Sequence, residues 1–296
     1  MMKSVKILLT GADGQLGQEF KRAFETGTTK IGPVPTVFRN AVVTYADINE
    51  LDVTNEEQAD DFVKKGFDFV INCSAYTAVD KAESDRDNCY RVNAAAPLYL
   101  AKACKKYNAT LAHFSTDYVY GGEKTSPYVE SDECRPETVY GKTKLEGERN
   151  VEATCSKYFI FRTAWLYGKY GNNFVYKMLQ LAKNRSVINV VCDQFGTPTY
   201  ANDLVYTTLN ALTTNAYGVY NCSGEGQCSW YEFAREIFAQ ARVDAEVVPV
   251  TSDLFETAAK RPKYSVMDNC ALKRLNLNGM REWKTALHDF IQEIND

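Results

Sequence analysis

The stretch Lys6-Ile7-Leu8-Leu9-Thr10-Gly11-Ala12-Asp13-Gly14-Gln15-Leu16-Gly17 joins a short apolar run to three glycines spaced Gly-x-x-Gly-x-x-Gly. A continuous apolar run of this length reads as a parallel strand covered on both faces. Leu16, Phe20, Ala23 and Phe24 follow with the period of a helix. Strand, glycine turn and helix, in that order, form the context in which a glycine repeat holds a phosphate. The glycines permit a tight turn, close approach of backbone to a pyrophosphate, and close helix–strand packing. The helix start adds unpaired N–H groups and the positive end of the helix dipole. The spacing departs from Gly-x-Gly-x-x-Gly, and a glycine-rich turn without a ligand is the alternative. The flanking strand and helix favour a dinucleotide site.

Outward from this stretch, strand and helix signals alternate. Residues 26–41, rich in Thr, Gly and Pro, read as an insertion or long turn. Ala41 to Asp47 is a β-rich run ending in an acid, where a carboxylate can hold ribose hydroxyls or be only a polar strand end. Thr54 and Glu57 have capping-box spacing for a helix through Val63. Phe67 to Cys73 is a strand that delivers Ser74-Ala75-Tyr76-Thr77, and Asn93 to Tyr107 is a helix. Thr110 to Phe114 and Tyr158 to Phe161 are further strands, ending in Ser115-Thr116-Asp117-Tyr118 and Arg162-Thr163-Ala164-Trp165. The expected fold is α/β: a doubly wound parallel sheet of Rossmann type with a smaller mixed α/β substrate lobe. Residues 1–165 plus about 187–215 are expected to form the dinucleotide-binding domain, and about 166–186 plus 216–296 the other lobe. The candidates from Gly11 to Trp165 all follow strands, which gathers them at one edge of the sheet.

The chain has 296 residues and a formal net charge of −4, with no basic stripe that would suggest nucleic acid. The apolar run after Met1-Met2-Lys3-Ser4-Val5-Lys6 is too short for a signal sequence. No stretch approaches the length that spans a bilayer. A cytoplasmic protein is expected. Nine scattered cysteines without Cys-x-x-Cys read as reduced thiols, and with only two histidines, His113 and His288, no metal site is expected. His113 lies in an apolar run and reads as a core histidine.

Tyr140-Gly141-Lys142-Thr143-Lys144 carries the chemistry. On a helix, Tyr140 and Lys144 share a face one turn apart. A phenol beside an ammonium is a proton donor whose pKa the charge lowers. Among nineteen tyrosines such a pair can also be an ordinary surface contact. A second Tyr-x-x-x-Lys, Tyr120 to Lys124, contains Gly121-Gly122 and reads as a loop.

With these residues in hand, the sequence resembles the extended short-chain dehydrogenase/reductase superfamily, and within it the dTDP-4-dehydrorhamnose reductases. The broader likeness rests on Thr10-Gly11-x-x-Gly14-x-Leu16-Gly17 and on Tyr140 with Lys144. The narrower one rests on Ala75-Tyr76-Thr77-Ala78-Val79-Asp80-Lys81-Ala82-Glu83 and Arg162-Thr163-Ala164-Trp165, with Asp193-Gln194-x-Gly196-x-Pro198-Thr199 and Arg261-Pro262. The resemblance implies reduction of the C4 keto group of dTDP-4-dehydro-L-rhamnose to dTDP-L-rhamnose. Tyr140 would protonate the C4 oxygen, Lys144 would hold the nicotinamide ribose and lower the Tyr140 pKa, and Thr116 would hydrogen-bond the reacting oxygen. Asp117 would touch the sugar nucleotide and Trp165 would wall its sugar. Gly11, Gly14, Gln15, Leu16 and Gly17 would surround the pyrophosphate, Asp47 the ribose, and Asp52 and Val53 the adenine. Ser74, Ala75 and Tyr76 would line the cofactor channel. The cofactor would be NADPH or NADH. Asp47 repels a 2′-phosphate, while the family uses both. Some relatives hold a metal ion, Mg2+, at a homodimer interface, and no such site maps onto this sequence. Arg261 is either a diphosphate partner or a structural salt bridge. The other readings are a non-catalytic regulatory subunit of the methionine adenosyltransferase type, from which the presence of Thr116, Tyr140 and Lys144 together is the discriminating feature, or another sugar-nucleotide reductase, epimerase or dehydratase.

Overall fold

The computed structural model describes residues 4–295. Its first half alternates β1 (Lys6–Thr10), α1 (Gln15–Thr26), β2 (Val42–Ala46), α2 (Glu56–Val63), β3 (Phe69–Asn72) and α3 (Val79–Ala82). Then come α4 (Arg86–Tyr90), α5 (Ala96–Tyr107), β4 (Thr110–Thr116), α6 (Val139–Thr154) and β5 (Tyr158–Thr163). The second half contains β6 (Leu166–Tyr167), α7 (Phe174–Ala182), β7 (Val187–Val191), β8 (Phe195–Gly196), β9 (Thr199–Tyr200) and α8 (Ala201–Ala211). It ends with β10 (Gly218–Asn221), β11 (Cys228–Ser229), α9 (Trp230–Ala241), β12 (Glu246–Val250), α10 (Cys270–Arg274) and α11 (Trp283–Asn295).

Six parallel strands form the main sheet in the order β10-β5-β4-β3-β1-β2. The apolar run in β1 follows from its place inside that sheet. Ile7 and Leu9 pack on one face with Phe20 of α1 and Leu204 of α8. Leu8 packs on the other face with Val63 of α2, Leu100 of α5 and Val151 of α6. Alternate side chains point to opposite faces, so a strand covered on both sides favours an unbroken apolar run. Each of these aliphatic side chains stabilises the fold by about 1.5–3 kcal/mol.

Strand pairing divides the second half differently from the sequence expectation. β7, within 187–215, joins no strand of the main sheet but pairs in parallel with β12. Its Ile188 and Val190 pack with Phe233 of α9 and Phe290 of α11 in a separate core. The sixth main-sheet strand is instead β10, within 216–296, which lies at the sheet edge against β5. A four-residue half-buried edge strand with Val219 and Tyr220 as its apolar signal carries little periodicity. Smaller corrections concern helix starts. Asn55, not Thr54, caps α2 by accepting from Gln58 N, because the Thr54 hydroxyl donates to Asp52 at 2.7 Å. At the start of α9 a capping box joins Ser229 and Glu232. The helix expected from Asn93 begins earlier: α4 runs into α5 through a π-helical turn over Arg91–Ala95.

Candidate active site

Every strand of the main sheet ends at the same edge, and the candidates collect there. Gly11 sits in the left-handed region at φ 64°, and a Cβ on it would come within 2.6 Å of Ser74 N, at the end of β3. Gly17, one turn into α1, packs on the Gly11 carbonyl with no room for a side chain. α1 starts at Gly14 with no side-chain cap and no acid in its first turn. Its free N–H groups and positive end face the glycine turn. This cradle fits a dinucleotide pyrophosphate. Asp47 is brought to it despite the 26–41 insertion: its Oδ2 accepts from Asp13 N at 2.9 Å and its Oδ1 from Ile48 N at 2.8 Å.

Other candidates are held by the protein itself. Asp52 Oδ1 accepts from Thr54 N and Oγ1, at 2.9 and 2.7 Å, so its carboxylate shapes a turn. Val53 is buried in the core on the α2 and α5 side, leaving only its backbone to meet a ligand. Gln15 reaches across to the second half, donating to Leu166 O and accepting from Asn173 Nδ2, each at 3.2 Å. Ser74 N donates to Asn72 Oδ1 at 3.1 Å, and the same oxygen accepts from Thr10 Oγ1 at 2.8 Å. Asn72 Nδ2 lies 3.1 Å from His113 Nδ1, so one buried amide ties the ends of three strands. His113 is the expected core histidine. Burial, and then the charge of Lys144, hold it neutral by pushing its pKa well below the usual value.

Tyr140 is the second residue of α6, which is capped by Thr138 accepting from Gly141 N at 3.0 Å. Half-buried, its ring meets Tyr118 edge-on at 5.5 Å. Thr116 ends β4, buried, and its hydroxyl donates to Asp117 Oδ1 at 2.9 Å while accepting from Tyr118 N. Lys144 is fully buried one turn along α6 and donates to Phe114 O at 2.5 Å. Burial disfavours its ammonium and draws the pKa down to about 8.

The expected lowering of the Tyr140 pKa by Lys144 is not what the site shows. Burial pushes the phenol upward, the neighbouring Thr116 hydroxyl draws it back in part, and the Asp117 carboxylate pushes it up again. The Lys144 ammonium is turned to the β4 carbonyl, and desolvation of the phenolate dominates. Asp117, buried, has its own carboxyl pushed up to about 6.

Trp165 is placed differently from a simple pocket wall. Its ring stacks on Trp230 with centroids 3.4 Å apart, and its backbone is strained at φ 46°. Gly196 fits beneath it, where a Cβ would lie 2.5 Å from the indole. A cleft of about 620 Å³ lies between the Gly121–Thr125 loop, Phe195 and the Arg261–Tyr264 segment. None of Thr116, Tyr140, Lys144 or Trp165 lines it. A narrow recess shares Gly121, Glu137, Lys260 and Pro262 with it and reaches Tyr118 and Thr138, beside Tyr140.

Sequence reasoning missed several residues that build this site. Asn93, fully buried in the π-helical turn, holds both polar atoms of the Tyr76 peptide, at 2.9 Å to N and 3.0 Å to O. Arg162 pairs with Glu148 inside the molecule at 2.6 Å, fixing β5 to α6. Tyr120 is no catalytic partner: its hydroxyl accepts from Arg162 and donates to Asn221 in the core. Among the described residues no group of three or more His, Cys, Asp or Glu could hold a metal ion, and no helix is long and apolar enough to cross a membrane.

A family described as the RmlD substrate binding domain matches residues 5–295. The dTDP-4-dehydrorhamnose reductase of Aggregatibacter actinomycetemcomitans is 38% identical, with 95% of this chain and 97% of the relative covered. The structure is similar to that of a dTDP-4-dehydrorhamnose reductase from Clostridium acetobutylicum, at 42% identity and a TM-score of 0.93, covering 99% of this chain and 100% of that one. It is also similar to a Bacillus anthracis dTDP-4-dehydrorhamnose reductase in complex with NADP, at 38% identity and a TM-score of 0.92, covering 98% and 100%. The glycine cradle, the Thr116–Tyr140–Lys144 group and these likenesses lead to one family: the chain belongs to the dTDP-4-dehydrorhamnose reductases.

Proposed function

We propose that this chain reduces the C4 keto group of dTDP-4-dehydro-L-rhamnose to give dTDP-L-rhamnose. The observation that carries the reading is the convergence of Thr116, Tyr140 and Lys144 at the sheet edge where the glycine cradle opens. A nicotinamide dinucleotide, NADPH or NADH, supplies the hydride when bound. Gly11, Gly14, Leu16 and Gly17 hold its pyrophosphate, Ser74, Ala75 and Tyr76 line its channel, and Lys144 holds the nicotinamide ribose. Asp47 accepts from a ribose hydroxyl and opposes a 2′-phosphate by like charge, which favours NADH here.

As the sugar C4 carbon becomes tetrahedral, its oxygen gains negative charge. The Tyr140 phenol, kept protonated by burial, gives up its proton only to that oxygen. A phenol with its ordinary pKa of about 10 is already protonated at neutral pH, and the upward shift holds the proton until charge develops. Thr116 donates a hydrogen bond to the same oxygen, turning its hydroxyl from Asp117, and so stabilises charge where it appears. The intact trio favours an enzyme over a non-catalytic regulatory subunit. Tyr118 after Asp117, in place of a second acid, disfavours a dehydratase.

The test mixes the chain with dTDP-4-dehydro-L-rhamnose and NADH or NADPH and follows absorbance of the reduced nicotinamide. Oxidation with either, faster with NADH, is expected. No oxidation with both would sink the reading.

A further inference from the structure

The stretch Val79-Asp80-Lys81-Ala82-Glu83 forms the short helix α3 and its C-cap directly after the Ser74–Tyr76 loop. Its acids Asp80 and Glu83 are three residues apart and so lie on one side of the helix. Glu83 Oε1 accepts at 2.8 Å from the N–H of Val139, the first residue of α6. Asp80 Oδ2 accepts from Arg261 Nη2 at 2.7 Å, and Oδ1 accepts from Ala259 N at 3.2 Å. One helical turn therefore grips both the catalytic helix and the segment that forms a wall of the cleft.

The Asp80–Arg261 pair is partly open to solvent, with side chains 44% and 31% exposed. An ion pair so placed adds little to stability. Its effect is geometric. Residues 253–258 are exposed, whereas Ala259, where Asp80 holds the backbone, is fully buried. Arg261 is engaged through a single terminal nitrogen, not as a two-pronged fork, so further N–H groups remain for a second anion. Arg261 lines the 620 Å³ cleft beside Lys260, whose ammonium is paired with Glu137 at 2.7 Å. Burial and then the Asp117 carboxylate push the Tyr118 phenol up to about 12, the Arg261 guanidinium beside it draws it back in part, and that ring meets Tyr140 edge-on. Arg261 thus stands between the cleft and the catalytic tyrosine.

We infer that Asp80 is a positioning residue for the substrate: it holds Arg261 across the cleft so that the free guanidinium N–H groups meet the diphosphate of a sugar nucleotide. The inference rests on the reductase reading for placing the sugar at Tyr140 and the diphosphate one sugar's length away. It also gives the two acids of the Ala78–Glu83 stretch distinct tasks, one at the substrate segment and one at the catalytic helix.

Calorimetric titration with dTDP, which needs no turnover, tests it on the full chain. Asp80→Asn is expected to weaken dTDP about tenfold and to raise the KM for the sugar nucleotide by a similar factor, with kcat changing less and cofactor affinity unmoved. Arg261→Lys keeps a partner for Asp80 but loses the fork, and is expected to weaken dTDP as well. The exchanged pair, Asp80→Arg with Arg261→Asp, keeps the ion pair with its ends reversed and is expected to leave dTDP affinity as low as in Asp80→Asn. Recovery of dTDP affinity by the exchanged pair would make the contact merely structural and overturn the proposal. So would wild-type affinity in Asp80→Asn, or a wild-type chain that binds no dTDP. A wild-type chain that binds dTDP yet oxidises no nicotinamide would strike the reductase reading instead.

Discussion

In the proposed reaction Tyr140 gives up the proton, and burial with two neighbours, Thr116 and Asp117, sets how tightly it is held. Tyr140→Phe preserves the ring that meets Tyr118 and removes only the donor. Turnover is expected to fall about 10²–10⁴-fold, the usual range for a positioned acid, while cofactor binding measured by fluorescence titration stays normal. Loss of cofactor binding would mean that the phenol's role is structural. Asp117 opposes the transfer from the other side. Its carboxyl is pushed from an ordinary 3.8 to about 6 by burial. Between those values the folded chain binds the extra proton, so stability from this group is lost as pH rises through 6. Asp117→Asn is therefore expected to match the wild type in urea unfolding near pH 4. By pH 8 it should gain on the order of 3 kcal/mol as an upper bound. An equal gain at both pH values would show that desolvation of the charge is not the cause. The places of Tyr140 and Lys144 on one helix and of Thr116 at a strand end were legible because a helical period and a strand end are written locally. The direction of the Tyr140 shift was not, since it depends on how deeply the ring is buried. Nor was the partner of Asp80, which lies 181 positions away.

The elements meet closely where α6 crosses the π-helical turn. Gly147 packs against the carbonyl of Asn93, where a Cβ would collide, and Asn150 Nδ2 donates to Ala94 O at 3.1 Å. In an open helix, replacing glycine by alanine gains roughly 0.5–1 kcal/mol. Overpacking a filled contact loses about 1–3 kcal/mol. The collision is with backbone, which cannot swing away, so the second effect wins and Gly147→Ala is expected to lower the unfolding midpoint. Asn93 also holds the Tyr76 peptide, and displacing it should raise the KM for the cofactor. A more stable variant with unchanged KM would show that the turn yields freely. Read locally, Gly147 is only a poor helix former. In the fold it is the contact surface. The main strands were readable because both-face burial demands unbroken apolar runs. β10 was not, because an edge strand of four residues imposes no such demand.

At the scale of the molecule, the two halves are fastened far from the reacting end, at the last turn of α11. Glu293, nearly buried, joins Arg22 of α1 through Oε1 and accepts from Tyr200 of β9 through Oε2 at 2.5 Å. Arg22 also pairs with the buried Glu19, whose Oε1 accepts from Asn202 of α8 at 2.6 Å. The helix that carries the glycine cradle is thereby tied to the last helix of the chain. No local pattern announces such a contact, because it joins residues 271 positions apart. This is also why the expected domain boundaries did not follow strand pairing: the chain crosses between the halves more than once. Glu293→Ala removes two acceptors but leaves Arg22 facing Glu19 and leaves Trp283, Leu287, Phe290 and Ile291 of α11 in their core. The loss is therefore expected at the low end for buried charged hydrogen bonds, about 1–3 kcal/mol. Amide exchange should quicken in the last turn of α11 and along α1 together, while the amides around Leu287 stay protected. Quickening confined to α11 would mean that Glu293 anchors only its own helix, and that α1 is held by its apolar face against the sheet.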